Sequence, residues 1–230
     1  MKRFYKDVSV SEKNKMFMVL LDGKTIKTPQ KSLCLMPTKA MALAVAKEWD
    51  DQKEDIAPFS MPITKLMNTT IDRIAARRSE IIDELVGFAG SDQVCYRAED
   101  PQDLVALQCK VWDPLLDRIK TLHEIELTQT SGIIFQEQDP EQILKIRALI
   151  ENIEDFPLMA FYGMTTVCGS ITIGINLFEG HISMKDAWDA GHLDENYQVS
   201  KWGSDYEAED RRDNLKTELE NSVRFLSLCQ

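Results

Sequence analysis

Hydrophobic positions near the start of the chain follow the short patterns that are typical of β-strands. Residues 16–21 form an apolar run, and the Asp22-Gly23 pair that follows is a two-residue hairpin signal. The chain then returns with alternating polarity through residues 24–28, and residues 33–36 form a further apolar run. These features predict a small antiparallel sheet.

Helical spacing begins after this sheet. A helix is predicted over residues 38–53, with Thr38 as its N-cap, and a proline-containing loop at residues 55–61 follows. We place a domain boundary in this loop, which gives a mixed β/α domain at residues 1–60. The side chains predicted to form the buried stripe of the helix are Ala42, Val45, Ala46 and Trp49.

From Pro62 onward, apolar residues recur at helical spacing, first over about seven turns as far as Leu85. Pro114 is predicted either to kink its helix or to follow a new N-cap at Asp113. Residues 61–230 therefore predict an all-α bundle, and the whole chain an α+β protein. Further helices are predicted to begin near residues 101 and 205 and, at Asp139-Pro140, near residue 140. Another is predicted to begin at Ser183, which forms a capping-box pattern with Asp186.

Residues 156–178 contain no charged side chain, and the stretch is long enough for a membrane span. However, several polar residues and glycines interrupt it, and the flanking residues Glu154, Asp155 and Glu179 are acidic. No cluster of Lys or Arg is nearby to orient a span. We interpret the stretch as a central helix that is buried on all sides of the bundle, without membrane insertion.

The chain is acidic, with 38 Asp and Glu against 27 Lys and Arg and a formal net charge of -11. Such a surface repels phosphate backbones and anionic lipids, which disfavours nucleic-acid and membrane-surface partners. Solubility alone explains the charge, and a basic protein partner is a second explanation.

Cysteine usage and the first residues indicate a compartment. The five cysteines are scattered and never spaced as C-x-x-C, which argues against a disulfide framework and against a thiolate metal site. Residues 1–7 are basic, but no apolar run follows them, and the stretch is too short and too poor in serine for a typical transit peptide. We expect a reducing compartment, the cytoplasm in which the protein is made.

Motifs for cofactors and catalysis are missing from the sequence. The three histidines lack zinc-site spacing, and G-K-T at residues 23–25 has Met18 where a phosphate-binding loop needs a glycine. Neither a dinucleotide fingerprint nor a nucleophile elbow is present. We therefore expect no cofactor, no metal and no enzyme activity, although a Cys/His nucleophile pair stays open.

The strongest candidate site is the D-E-x-x-Q segment at residues 194–198. On a helix that begins at Ser183, Glu195 follows Trp188 by almost two turns and shares its apolar face. A carboxylate there is either part of a structural ion pair or a polar anchor that receives a partner in a groove. A second converging acid, which catalysis normally needs, is not evident.

Two other polar positions have plainer interpretations. Trp49 is most simply a core residue, and Gln52 is a capping or surface group one turn later. Arg77 and Arg78 are interpreted as the solvated face of their helix.

The order of several short segments resembles a known family, the assembly chaperones that bind the alpha subunit of the F-type ATP synthase. The resemblance runs from about residue 16 to residue 203. The segments are L-D-G-K at 21–24, K-T-P at 27–29, E-W-x-x-Q at 48–52, M-P-x-T at 61–64, I-D at 71–72, D-x-x-C-Y-R at 92–97, Q-x-x-x-W-D-P-L-L at 108–116, G-S at 169–170 and D-E-x-x-Q-x-x-x-W-G at 194–203.

This resemblance implies a small β/α domain, a helical domain and a binding role without chemistry. Such a chaperone holds the unassembled alpha subunit and covers the apolar surface that its beta partner will occupy, which would otherwise aggregate. The resembling family occurs in mitochondria and in related bacteria, so the resemblance implies the bacterial cytoplasm, or the mitochondrial matrix if a presequence has been trimmed. We expect a monomer. The residues implied to contact the client are Glu195, Asp194, Gln198 and Trp202, and those implied to support the conformation are Trp49 and Trp112.

Two other functions remain open from the residues alone. A helical adaptor for a different protein client would use the same surface. A small hydrolase would use Glu195 together with Asp194 or His192, and it would need a second group with a shifted pKa.

Overall fold

A computed structural model describes residues 1–203 and 206–230, without the side chains of Ala75 and residues 206–208. The described residues form two compact units. Unit 1 comprises Met1–Arg78, Asp155–Met159 and Arg224–Gln230, and unit 2 comprises Ser79–Glu154 and Ala160–Val223. A small sheet precedes a mostly helical remainder, so the α+β class is confirmed. The boundary after residue 60 concerns independently folding domains and stays a prediction.

The sheet of unit 1 is a three-stranded antiparallel meander. Strands β1 (Val8–Lys13), β2 (Met16–Leu21) and β3 (Lys24–Thr25) are adjacent in that order, and Leu21 pairs with Lys24. Asp22 and Gly23 have φ values of 47° and 77°, which a tight hairpin with two left-handed residues requires. The hairpin prediction is confirmed.

Other parts of the predicted sheet are wrong. Residues 33–36 form no strand; Leu33 and Met36 make only isolated bridges, to Lys27 and Phe17. The strand after the hairpin stops at Thr25, and β1 was not predicted, although its V-S-V-S start alternates as a strand does.

The first helix, α1 (Lys39–Asp50), begins where it was predicted. The Thr38 hydroxyl accepts a hydrogen bond from the Met41 amide at 3.1 Å and caps the helix. Its buried face is shifted from the predicted stripe, because Ala46 and Trp49 are half-buried. The buried residues are Met41, Ala42, Val45 and Glu48.

The long helix that periodicity predicted after Pro62 is interrupted. Helix α2 (Pro62–Thr69) continues through a π-turn (Thr70–Ile74) into α3 (Ala75–Gly90), and α3 is kinked at Arg77, where φ is -129°. Arg78 is not merely solvated, because its guanidinium lies 2.5 Å from the Asp155 carboxylate.

Unit 2 contains a short parallel pair of strands, β4 and β5, and most of the remaining helices. Asp139 caps α5, and Ser183 with Asp186 forms a capping box for α8, as predicted. The predicted start at Asp205 lies outside the described residues. The elements are β4 (Tyr96–Arg97), α4 (Gln102–His123), β5 (Thr130–Ser131), α5 (Pro140–Glu151), α6 (Asp155–Cys168), α7 (Ile171–Phe178), α8 (Met184–Gly191), α9 (Leu193–Trp202) and α10 (Tyr206–Ser227).

Helix α4 continues through Pro114 as one helix. The alternative of a new helix capped by Asp113 is therefore wrong. Asp113 instead forms an ion pair with Arg97, with 2.8 Å between the charged atoms.

The uncharged stretch at residues 156–178 forms two helices and not the single one that was predicted. Helix α6 ends at Cys168, and the following Gly169 turns the chain with a φ of 64°. Ser170 then caps α7 by accepting a hydrogen bond from the Ile173 amide at 3.1 Å. Every residue from Ile171 to Leu177 is buried. Among the described residues, no helix is long and apolar enough to cross a membrane.

Candidate functional site

The acidic segment lies on a helix of its own. Helix α8 ends at Gly191, His192 has non-helical angles (φ -113°, ψ 24°), and α9 starts at Leu193. A Cβ at Gly191 would lie 2.9 Å from the Cα of Cys168, so this close approach requires glycine. The prediction of one continuous helix from Ser183 through Glu195 is wrong, because the helix is broken at His192. Trp188 and Glu195 nevertheless both contact the guanidinium of Arg212.

Asp194 is tied to the helix opposite it. Its carboxylate accepts a hydrogen bond from Gln108 Nε2 at 2.8 Å. Gln108 is buried, and its Oε1 accepts from the Ala98 amide at 2.8 Å. A buried amide that is satisfied at both ends holds the first turn of α9 in place.

Glu195 forms an ion pair with Arg212 of α10, with 3.0 Å between the charged atoms. The Arg212 side chain is 19% exposed and the Glu195 side chain 44%. The same guanidinium lies 5.7 Å from the centre of the Trp188 ring and donates to Asn196. Glu195 is therefore both anchored within unit 2 and open to solvent.

His192 supports the break between the two helices. Its ring stacks on Trp188 with 3.8 Å between centroids, and its Nδ1 lies 3.1 Å from the Trp188 carbonyl oxygen. Burial lowers the pKa of His192, an effect that the Glu195 carboxylate opposes and the guanidiniums of Arg212 and Arg211 reinforce. A buried, stacked imidazole fits a structural role better than an acid–base role.

The four predicted contact residues form one exposed stripe along α9. Asp194, Gln198 and Trp202 follow each other at intervals of one turn, and Glu195 lies beside them. All four are exposed, and Trp202 is 78% exposed at the end of the helix. We call Asp194, Glu195, Gln198 and Trp202 the α9 stripe.

Trp112 lies behind this region in the core of unit 2. Its indole donates a hydrogen bond to the Ala190 carbonyl at 2.9 Å, just before the break at His192. The buried Arg97 lies 5.2 Å from the Trp112 ring centre and pairs with Asp113. Trp112 thus connects α4 to the end of α8.

Trp49 lies in unit 1 and is half-buried. Its ring makes an edge contact with Tyr5 at 5.7 Å, and its carbonyl accepts a hydrogen bond from the Tyr5 hydroxyl at 2.6 Å. It lines a groove of about 670 Å³ together with Ile56, Phe59 and Met61. The interpretation of Trp49 as a core residue holds only in part, because its side chain is half-buried.

Segments of the family resemblance meet in pairs within unit 1. The buried Glu48 carboxylate accepts from the Ile63 amide at 2.8 Å and from the Thr64 amide and hydroxyl at 2.7 Å each, so it caps α2. Gln52 is also buried, and it bonds to the Ser60 hydroxyl and to the Ala57 amide. Of the two roles predicted for Gln52, the capping role is correct, because its Nε2 donates to the Glu48 carbonyl at 2.9 Å, and the surface role is wrong.

Two further buried or half-buried carboxylates accept hydrogen bonds from residues that are distant in the sequence. Asp72 accepts from the Thr28 hydroxyl at 2.6 Å, and the fully buried Asp92 accepts from the Thr172 amide at 2.9 Å. Burial raises the pKa of Asp92, and its hydrogen bonds oppose that rise. Sequence reasoning did not identify these ties, because each becomes visible only when the segments are brought together.

Histidines and a carboxylate meet at Glu179, whose Oε2 lies 2.9 Å from His123 Nε2 and 3.2 Å from His181 Nε2, but the described part of the chain contains no candidate metal site. Burial raises the pKa of Cys34, Cys95 and Cys168 to about 12, so these thiols are poor nucleophiles at neutral pH. The carboxylates that cap helices stabilise the fold, and the exposed α9 stripe favours a binding protein over a catalyst.

Comparisons with known proteins give the same class. The sequence profile of the family described as "ATP12 chaperone protein" matches residues 2–120. The chain belongs to this ATP12 chaperone family. The resemblance to ATP12-type assembly chaperones of the ATP synthase is therefore confirmed, and so is the prediction that the protein is not an enzyme.

Individual relatives cover nearly the whole chain. The mitochondrial protein atp12 of Schizosaccharomyces pombe is 25% identical over 241 residues, which span 99% of this chain and 82% of that protein. The crystal structure of Atp12 from Paracoccus denitrificans matches with a TM-score of 0.96 and 34% identity, over 100% of this chain and 98% of that one. A structure from Agrobacterium tumefaciens matches with a TM-score of 0.94 and 35% identity, over 100% and 86%.

Proposed function

We propose that this chaperone assists assembly of the catalytic head of the proton-translocating ATP synthase by binding the free alpha subunit and shielding its beta-facing surface. Membership in the ATP12 family supports the chaperone role. The observation that carries the site is the α9 stripe, where two carboxylates, an amide and an exposed indole share one side of a helix.

The stripe suits protein recognition. An exposed tryptophan is a strong anchor for a partner, because its large ring gains much from burial. The adjacent carboxylates would pair with basic groups on the client. The ion pair between Glu195 and Arg212 and the bond between Gln108 and Asp194 hold the helix in position before the client arrives, which reduces the entropy lost on binding.

The remaining predicted residues, Trp112 and Trp49, have structural contacts within their own units. Trp112 supports the end of α8 through its bond to Ala190, and Trp49 shapes the wall of the groove in unit 1. We propose that both maintain conformation and do not touch the client. The protein would act as a monomer without nucleotide or metal, in a bacterial cytoplasm or a mitochondrial matrix, in keeping with its bacterial and mitochondrial relatives.

Capture from a cell lysate tests this function. The purified chain is immobilised, incubated with a lysate of its own organism, and the retained proteins are identified by mass spectrometry. We expect the ATP synthase alpha subunit without its beta partner, because the beta subunit competes for the covered surface. Retention of another protein would favour the adaptor, and no retention would contradict both.

A further inference from the structure

A second exposed surface of unit 2 lies far along the chain from the α9 stripe. The loop at residues 132–138 presents three consecutive large apolar side chains to solvent. Ile133 is 100% exposed, Ile134 79% and Phe135 66%. Single exposed apolar residues are ordinary, but three in a row at a loop tip form a patch that is typical of an interaction site.

The base of this loop is held by specific contacts. On one side, the Gly132 amide donates to the Arg97 carbonyl at 2.9 Å, next to the pairing of β5 with β4. On the other side, the buried Gln138 side chain forms two hydrogen bonds with the backbone of Thr128. Its Oε1 accepts from the Thr128 amide at 2.7 Å, and its Nε2 donates to the Thr128 carbonyl at 2.9 Å. A loop closed at both ends presents its apolar tip in a defined position.

A groove continues from the tip along the neighbouring helices. Its volume is about 550 Å³, and Phe135 forms one wall while Val86 of α3 and Ile143 of α5 form others. Leu144, which is 62% exposed, extends the apolar rim. The groove and the tip together make one continuous surface, which we call the 133–135 patch.

The net charge around the 133–135 patch is negative. Lys120, Lys145 and Arg147 form ion pairs with Glu126, Glu141 and Asp83 there, but the carboxylates outnumber these cations. Between Lys120 and Lys145 the chain contains five carboxylates and neither Lys nor Arg. The carboxylate of Glu99 also lies close to the loop, 3.3 Å from where a Cβ on Gly132 would be. The carboxylates of the segment are Glu124, Glu126, Glu137, Asp139 and Glu141.

This charge distribution indicates which kind of partner the patch would bind. A second copy of the chain would bring two acidic rims together, which like-charge repulsion disfavours. Anionic lipid is disfavoured for the same reason. A protein surface that carries apolar side chains with Lys or Arg beside them satisfies both features of the patch.

We propose that the 133–135 patch is a second client-docking surface, which receives an apolar segment of the unassembled subunit flanked by basic residues. This inference rests on the proposed function and extends it, because the α9 stripe alone offers a single large apolar side chain. Two separated contacts would also slow release of the client, since both must open before it dissociates.

Binding of purified ATP synthase alpha subunit tests the patch. We expect Ile134→Asp to weaken binding by about tenfold or more, because it places a charge where an apolar contact forms. Leu43→Asp is the matched control, since Leu43 is 51% exposed on α1 of unit 1. Thermal unfolding should be unchanged in both variants, because neither side chain is buried.

The outcomes separate the two proposals. If the unmodified chain binds the alpha subunit and Ile134→Asp binds equally well, the patch is overturned while the proposed function stands. If the unmodified chain does not bind the alpha subunit, both are overturned. Sedimentation of the chain alone adds a further check, because self-association that Ile134→Asp abolishes would make a second copy the occupant and overturn the proposal.

Discussion

Glu48 and Glu195 both belong to segments that carry the family resemblance, yet their carboxylates occupy opposite environments. Glu48 is buried in unit 1 and accepts three hydrogen bonds from the first turn of α2. Glu195 lies on the surface of unit 2, where it pairs with Arg212 and remains 44% exposed.

The contrast shows that a short polar motif can have one of two roles, which are to stabilise the fold or to contact a partner. A carboxylate whose oxygens are occupied by backbone donors stabilises the fold and is inaccessible to a partner. A half-exposed carboxylate that one arginine holds in place keeps a defined position and can still meet a client. The E-W-x-x-Q segment is therefore mainly structural, whereas we propose that the D-E-x-x-Q segment makes contact.

Of the two glutamates, the buried Glu48 is expected to have the larger effect on stability when it is removed. Glu48→Ala leaves the Ile63 and Thr64 amides without their acceptor, and we expect the free energy of unfolding to fall by about 3 kcal/mol. Urea unfolding of both proteins measures this loss. Glu48→Gln, which keeps the shape and one acceptor, is the control and should lose less. Equal stability of Glu48→Ala and the unmodified chain would contradict the structural role.

A smaller effect is expected at the break that separates α9 from α8. Gly191→Ala places a methyl group 2.9 Å from the backbone of Cys168, so the helices must move apart. We expect a loss of about 2 kcal/mol in the free energy of unfolding, which thermal or urea unfolding would show. Gly87→Ala in α3, where nothing lies within 4 Å of a Cβ, is the control and should not destabilise. A loss of similar size in both variants would argue against the close contact at Gly191.

The smallest effect is a pH dependence that originates at His192. Because burial lowers its pKa, the folded protein binds a proton less readily than the unfolded chain. Its contribution to stability is therefore present above a pH of about 6.5 and is lost as the pH falls below that value. His192→Phe keeps an aromatic ring on Trp188 and removes the titration, so its stability should fall less on acidification.

Unfolding measured at several pH values between about 7.5 and about 5.5 tests this expectation. His181→Gln is the matched control, because His181 is 35% exposed and lies 3.2 Å from Glu179. An unchanged pH slope in His192→Phe would show that His192 does not contribute in this way.

Much of the fold follows from local patterns in the sequence. The hairpin at Asp22 and Gly23, the cap at Thr38 and the capping box at Ser183 were predicted because neighbouring residues alone determine them. The π-turn before Ala75 and the kink at Arg77 were not, since apolar spacing continues unchanged across them. Gly191 was the available signal for the break at His192, and the helix was nevertheless extended through it.

Polar groups within the fold were harder to predict. The burial of Gln52 and the tie between Gln108 and Asp194 depend on residues that meet only after the chain folds back. The partner of Glu195 was missed for the same reason, although the pair of arginines at residues 211–212 interrupts an acidic stretch and was a possible signal. Composition and spacing identified the exposed segment but not what holds it.

The affinity of Glu195→Lys for the purified alpha subunit tests the central claim most directly. We expect binding at least about tenfold weaker, with a loss of stability below about 1 kcal/mol, because exposed ion pairs contribute little to folding. Glu195→Gln, which removes the charge without reversing it, should be intermediate. Binding and stability that fall together would instead make Glu195 a structural residue, and unchanged binding would contradict the α9 stripe as the client site.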